Sequence, residues 1–138
     1  MKKKLLWAVL CAGAAVLIGG YMLFDAVFPK AKPLMLPDTG DILSVTITGS
    51  DGEAATLTGD DIRSLSDLLR GCSPTRQPSV NDYPTVKPCY TLSMQTNLRE
   101  HRLFVYKEHV QVYVESPYEG VYKADERLLE FVLSYTEK

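Results

Sequence analysis

The sequence has few of the side chains that carry most enzyme chemistry. Among its 138 residues are only two histidines, His101 and His109, and three cysteines. The cysteines form no CxxC pair, and the sequence contains neither an HExxH motif nor a glycine-rich phosphate loop. If Lys107–His109 turns a hairpin, the two histidines lie far apart along its ladder and do not share a metal ion. We therefore expect no catalytic residues, no metal site, no cofactor and no enzyme.

Acidic residues are present, but they are scattered. Asp60 and Asp61, like Asp125 and Glu126, stand at the starts of helical patterns, where a carboxylate complements the helix dipole. The alternative is a cell-envelope enzyme with a cryptic acid or thiol site. It predicts a concave pocket that holds at least two convergent ionisable groups.

Positive charge is also scarce after the first four residues. Lys2, Lys3 and Lys4 are three of the 15 basic residues, so 12 remain against all 17 acidic residues, a net charge of −5. A domain with that balance and no basic cluster is not expected to bind nucleic acid. Its field favours cationic partners instead.

One long uncharged run lies near the N-terminus, from Leu5 to Phe24. As a helix it rises about 30 Å, the thickness of the hydrocarbon core of a bilayer. The preceding lysines favour an N-terminus inside and a C-terminal domain outside. We predict an uncleaved signal anchor over residues 1–24 of a single-pass cell-membrane protein. The main alternative is a cleaved signal peptide, although DAVFPKAK after Phe24 offers no good cleavage site.

The next segment is marked by proline. Pro29, Pro33 and Pro37 recur at every fourth position, and proline removes a backbone donor and fixes φ. We predict an extended tether over residues 25–40 and a domain over residues 41–138.

The domain begins with strand-like alternation. Leu43, Val45 and Ile47 alternate with polar residues, and the turn Gly49–Gly52 predicts a β-hairpin. A helix follows, with Thr58 and Asp61 as a capping box and Gly71 as a left-handed C-terminal residue.

Strand patterns return after residue 88. They cover Tyr90–Gln95, Leu103–Tyr106 and Val110–Val114, with a short final strand at Val121–Tyr122. Asp125 then caps a C-terminal amphipathic helix. The order β-β-α-loop-β-β-β-α predicts an α+β fold, in which two helices cover one face of an antiparallel sheet of about five strands.

The stretch PSVNDYPTVKP, residues 78–88, is the best candidate for a recognition loop. Its prolines exclude a regular ladder, and long loops in small domains are usually functional or disordered. Asn81 and Asp82 suit an Asx turn. Tyr83 and Tyr118 lie in loops, where packing alone does not explain a tyrosine. We expect Asn81, Asp82, Tyr83 and Tyr118 to contact a protein or another cell-envelope partner.

Two cysteines flank this stretch. Cys72 and Cys89 are 17 positions apart in a region predicted to be extracytoplasmic, where disulfides persist. A bridge between them would stabilise the domain by about 3 kcal/mol in the chain-entropy model. The alternatives are two unpaired thiols or a reversible redox sensor.

Two motifs carry a family resemblance: Ser79–Asp82 followed by Pro84, and PYEGVYK at residues 117–123. With the capped helix before them, they resemble the DUF5301 family of small extracytoplasmic Firmicutes proteins of unknown function. The resemblance covers about residues 42–135. It implies a location outside the membrane and a small domain, but no mechanism. Cys11, after Leu10, departs from the lipid-anchored members because it lacks a lipoprotein signal.

Overall fold

A computed structural model describes residues 2–137 and divides the chain into two compact units between Lys30 and Ala31. The first unit contains helix α1 (Lys2–Val27), which has no buried residue. Within the described residues, α1 is the one helix long and apolar enough to cross a membrane, a property that signal sequences share. The helix runs three residues past the predicted anchor, to Val27.

The second unit is built on a seven-stranded sheet. The strands are β1 (Ile42–Thr48), β2 (Ala54–Leu57), β3 (Ser73–Pro74), β4 (Cys89–Thr96), β5 (Glu100–Glu108), β6 (Gln111–Ser116) and β7 (Gly120–Ala124). Their order across the sheet is β2-β1-β4-β5-β6-β7-β3, and all neighbours are antiparallel. The α+β class and the antiparallel sheet are confirmed, but the sheet has seven strands and not about five.

The strand count differs partly because β3 is too short to show a hydrophobic periodicity. It is two residues long, and Pro74 lies in it, paired with Tyr122 of β7. A proline suits an edge strand because its missing N–H costs no ladder hydrogen bond on the outer side. Two residues cannot show alternation, so the sequence pattern predicts a loop here.

Two helices cover one face of the sheet, α2 (Asp60–Arg70) and α3 (Glu126–Thr136). Their apolar stripes are confirmed and pack with alternate strand residues into one core. Its fully buried members include Val45, Ile47, Leu65, Leu69, Leu92, Val105, Val114, Leu128 and Val132.

The ends of α2 differ from the prediction. The residue before the helix is Gly59, with φ 56°, and no side chain caps the helix. Thr58 contributes only its backbone carbonyl, to the N–H of Asp61. Gly71 has a right-handed conformation, φ −74° and ψ −5°. The glycine that needs positive φ is therefore at the start of α2, not at its end. For α3 the predicted cap is confirmed, since Asp125 accepts from the N–H of Arg127 at 2.9 Å.

Two irregularities shift strand positions that alternation had predicted. A bulge between Ile42 and Ser44 turns Leu43 outward, so Ile42 is buried in the core in its place. At the β5–β6 hairpin the turn is His109–Val110, with Glu108 paired to Gln111. Val110 is thus exposed at a hairpin tip and does not begin a strand.

The predicted tether, residues 25–40, is divided between the two units. Its second part packs on the domain: Leu34 and Leu36 contact the core, and the Ala31 N–H donates to the Thr75 carbonyl at 2.9 Å. The Tyr122 hydroxyl donates to the Lys32 carbonyl, also at 2.9 Å. The compact unit therefore begins at Ala31, ten residues before the predicted start at Asp41, because apolar side chains between the prolines are partly buried against the core.

Candidate functional site

The second face of the sheet, opposite the helices, is covered by the chain between β3 and β4. Thr91, Phe104 and Glu115 lie in register across β4, β5 and β6, so their side chains point to this face. We call residues 75–88, which cross it, the covering loop. Within it Ser79 and Pro84 are buried, and Val86 packs against Phe104, Tyr106 and Cys89. The proline-rich stretch is therefore an ordered layer of the domain.

A buried carboxylate fixes the covering loop to the sheet. Glu115 is 7% exposed and accepts from Ser79 Oγ at 2.6 Å and from the Tyr106 hydroxyl at 3.3 Å. Ser79 Oγ also accepts from the backbone N–H of Tyr118 at 3.2 Å. Burial, and then the neighbouring Glu115, raise the pKa of Tyr106 far above its usual value, so this phenol remains a donor. Through these hydrogen bonds Ser79, in the covering loop, is joined both to Glu115 in the sheet and to the β6–β7 turn.

The predicted residues Asp82 and Tyr118 are in direct contact. The Tyr118 hydroxyl donates to Asp82 Oδ1 at 2.6 Å. Tyr118 has φ 63° in the β6–β7 turn and is 65% exposed. The hydrogen bond to Asp82 raises the pKa of Tyr118. Asp82 therefore joins two surface segments that are 36 residues apart, and it does not bond the backbone two residues later as in the predicted Asx turn.

Tyr83 packs on the sheet through Phe104 and remains about half exposed. Its centroid is 4.5 Å from that of Phe104, and its hydroxyl is 3.0 Å from Thr91 Oγ1. The ammonium group of Lys87 lies 5.1 Å from the ring centroid, a cation–π distance. The side chain is 48% exposed. Tyr83 is therefore held in one orientation while about half of it faces solvent.

Asn81, the chain neighbour of Asp82, is exposed. It lines a cavity of about 90 Å³ together with Val80, Tyr106 and Glu115. Within residues 2–137, no hydrogen bond joins the Asn81 side chain to Asp82, Tyr83 or Tyr118. The structure thus links Asp82 with Tyr118, places Tyr83 on the same loop, and leaves Asn81 at the rim of the small cavity.

The residues that organise this surface were not predicted as site residues. Glu115 ends an alternating strand pattern at a position where a carboxylate normally faces water, and Ser79 is an ordinary loop serine. The only signal was that the covering loop contains apolar residues and prolines, which favours order. Pairing of Ser79 with Glu115 depends on contacts across 36 residues.

The two candidate disulfide cysteines are free thiols, and the sheet lies between them. Cys72 packs against the helix-side core, whereas Cys89 is buried with Phe104 and Tyr106 on the opposite face. The predicted Cys72–Cys89 bridge is therefore absent. Burial raises the pKa of each thiol to about 11. Both side chains are therefore mostly protonated thiols at neutral pH, and the thiolate is the more reactive form.

Ionisable groups converge elsewhere, beside the β4–β5 turn. A cavity of about 240 Å³ is lined by five of them: Arg99, Glu100, His101, Arg102 and Glu119. The Arg99 Nε–H donates to His101 Nε2 at 3.0 Å, a contact that requires the neutral ring to carry its proton on Nδ1. Burial, and then Arg99, lower the pKa of His101. Of the scattered acidic residues outside the helix starts, Glu100 and Glu119 line this cavity, whereas Asp82 and Glu115 do not.

Within residues 2–137, no group of three or more His, Cys, Asp or Glu side chains is arranged to hold a metal ion.

The fold is similar to a solved one. The NMR structure of a protein from Ruminococcus gnavus matches with a TM-score of 0.58 and 23% sequence identity, over 65% of this chain and 89% of that chain. At this identity the likeness concerns the fold alone. No protein with a curated description matches the sequence.

A family model matches most of the second unit. It is DUF5301, described as "Domain of unknown function (DUF5300)", and it matches residues 30–123. The match begins one residue before the compact unit and includes the covering loop, Glu115 and Tyr118. The chain belongs to the DUF5301 family.

Proposed function

We propose that the protein is a recognition module held at the cell membrane by α1, with its domain outside the cell. Its contact set is Asn81, Asp82, Tyr83 and Tyr118, and its partner is a protein or another component of the cell envelope. The observation that carries the proposal is the 2.6 Å bond between Tyr118 and Asp82, because it fixes two largely exposed side chains in place.

Fixed, exposed aromatic side chains suit recognition. Tyrosine offers a large contact area and a polar tip while few rotatable bonds lose freedom on binding. Tyr83 is held by Phe104 and Thr91, and Tyr118 by Asp82, so both rings are ordered before a partner arrives. Preorganisation of this kind lowers the entropic cost of association. Val80, which is exposed on the same loop, adds apolar area to the surface.

The N-terminal sequence supports the proposed location. Lys2, Lys3 and Lys4 precede the apolar helix, and this arrangement favours an inside N-terminus. The acidic balance of the remaining chain disfavours nucleic acid as a partner.

Photocrosslinking in cells tests the recognition surface. A photoreactive phenylalanine analogue replaces Tyr83 in the full-length protein, and the matched control carries the same probe at Val110. Val110 is a good control because it is 88% exposed at the tip of the β5–β6 hairpin and belongs neither to the covering loop nor to the contact set. We expect one discrete adduct from position 83 and none of that mass from position 110.

The contact set is then tested by removing its polar members. Alanine at both Asn81 and Asp82 should abolish the adduct from position 83 while the amount of folded protein is unchanged. Identical adducts from positions 83 and 110, or an adduct that survives both substitutions, would make the covering loop a structural layer only.

A further inference from the structure

Two large apolar side chains stand out at one end of the sheet. Leu98 in the β4–β5 turn is 95% exposed, and Met35 is 71% exposed. Both line the same open cavity of about 360 Å³, together with Arg99 and His101. Neither residue belongs to the proposed contact set. Isolated apolar residues on a surface need no explanation, but two that share one cavity form a patch.

The same end of the sheet receives the chain from α1. The helix ends at Val27, and Ala31 is already hydrogen-bonded to Thr75 in the domain. Four residues of extended chain span at most about 14 Å. Ala31 lies against Gly120, in the turn that adjoins the β4–β5 turn at this end. The covalent connection alone therefore limits how far Ala31 can lie from the last residue of α1.

We propose that this end of the domain docks on the surface of the lipid bilayer that holds α1, with Leu98 and Met35 inserted at the level of the headgroups. The inference rests on the membrane anchorage in the proposed function and adds a second contact with the membrane. Insertion of apolar side chains at the interface is favourable because it removes their surface from water.

The charges near the patch fit an interface without dominating it. Lys32 and Arg99 are exposed there and offer cations to lipid phosphates. Asp41 and Glu119 are also exposed nearby and offset that charge. The apolar tips therefore carry the contact, and the docking should depend little on the content of anionic lipid.

Docking at this end also sets where a partner would be met. Strands β5 and β6 both extend between the patch and the opposite end of the sheet, so the face that carries the covering loop is then turned sideways and not toward the bilayer. Tyr118 lies in the turn nearest the patch, whereas Tyr83 lies further along the sheet, opposite Phe104. A partner would reach this surface from the side, close to the bilayer.

Tryptophan quenching tests the docking in the full chain. Trp7 is the only natural tryptophan, so a Trp7→Phe background receives either Leu98→Trp or Val110→Trp. The two positions are matched in exposure and lie at opposite ends of β5, a nine-residue strand about 30 Å long. Each protein is reconstituted into vesicles of phosphatidylcholine and phosphatidylglycerol with bromine atoms on the acyl chains, which quench nearby indole rings.

We expect the Leu98→Trp probe to be quenched several-fold more than the Val110→Trp probe and to emit at shorter wavelength. Adding Met35→Asp to the Leu98→Trp protein should return its quenching to the level of the Val110→Trp probe, because a charge then replaces an inserted side chain. Equal quenching of the two probes, high or low, would overturn the docking.

The natural chain separates failure of the docking from failure of the anchor. If Trp7 is quenched in these vesicles and the Leu98→Trp probe is not, α1 is embedded and the domain stands free of the surface. If Trp7 itself is not quenched, the membrane anchorage and the docking fail together.

Discussion

At the scale of single residues, Glu115 has the largest organising role on the second face of the sheet. Its carboxylate is almost fully buried and accepts hydrogen bonds from the hydroxyls of Ser79 and Tyr106. The Ser79 hydroxyl oxygen in turn accepts one from the backbone N–H of Tyr118. Within the described residues, no buried side-chain nitrogen or oxygen lacks a hydrogen-bond partner. Such networks are stable when complete and costly when one member is removed.

Replacing Glu115 with alanine should therefore destabilise the domain by about 1–3 kcal/mol, because two buried hydroxyl donors lose their acceptor. The covering loop should also become susceptible to proteolysis between Pro78 and Pro88. Urea unfolding of the full chain in detergent measures the first effect, and limited proteolysis measures the second.

Glu130→Ala is the matched control. Glu130 lies on the exposed side of α3, so its loss should change stability by less than about 0.5 kcal/mol. A Glu115→Ala protein as stable and as protease-resistant as Glu130→Ala would show that the loop is held by other contacts.

At the scale of elements, the proline-spaced segment before β1 behaves as part of the domain. Pro33 and Pro37 bracket Leu34 and Leu36, which pack against the helix-side core, while Met35 between them points outward. The spacing of the prolines predicted an extended tether over residues 25–40; α1 continues to Val27, a 3-10 turn forms at Thr39–Asp41, and residues 29–38 form neither helix nor strand. The segment's alternation of buried and exposed side chains adds a layer to the core.

Leu36→Ala tests that role. Removing a partly buried leucine should cost about 1–2 kcal/mol of unfolding free energy, less than for a fully buried one. Met35→Ala changes the neighbouring, exposed residue and should be close to neutral. If both substitutions are neutral in urea unfolding, the segment is a tether and the domain begins near Asp41.

At the scale of the whole molecule, burial places several groups in their protonated form. Burial is the main cause of the raised pKa of three tyrosines, Tyr90, Tyr106 and Tyr122. It also raises the pKa of Cys72 and of Cys89 to about 11. The folded state thus holds these protons more tightly than the unfolded state, where the pKa is about 8.5 for cysteine and about 10 for tyrosine. Their contribution to stability is complete below those values and decreases as the pH rises through the folded-state values.

The free energy of unfolding should therefore fall as the pH rises from about 9 to about 11. This interval starts just above the unfolded-state pKa of cysteine and includes that of tyrosine. Urea unfolding at a series of pH values measures the slope. Tyr106→Phe should make the slope shallower, since one proton no longer distinguishes the two states. An unfolding midpoint that stays constant throughout this interval would contradict the linkage.

The sequence by itself determined the features that depend on local pattern. An uncharged run gives an apolar helix, alternation gives antiparallel strands, and amphipathic periodicity gives α2 and α3, because each follows from the spacing of side chains along one element. It also indicated an ordered loop at residues 78–88 with Asp82, Tyr83 and Tyr118 at the surface.

Tertiary structure decided what depends on contacts between distant residues. It brought Ser79 to Glu115 and Asp82 to Tyr118, each across 36 residues, and it separated Cys72 from Cys89 by placing them on opposite faces of the sheet. Neither the two-residue strand β3 nor the packed segment from Ala31 has an alternation of apolar and polar residues that would predict its place in the fold. They are stabilised by neighbours far along the chain, and no local pattern in a single sequence specifies those neighbours.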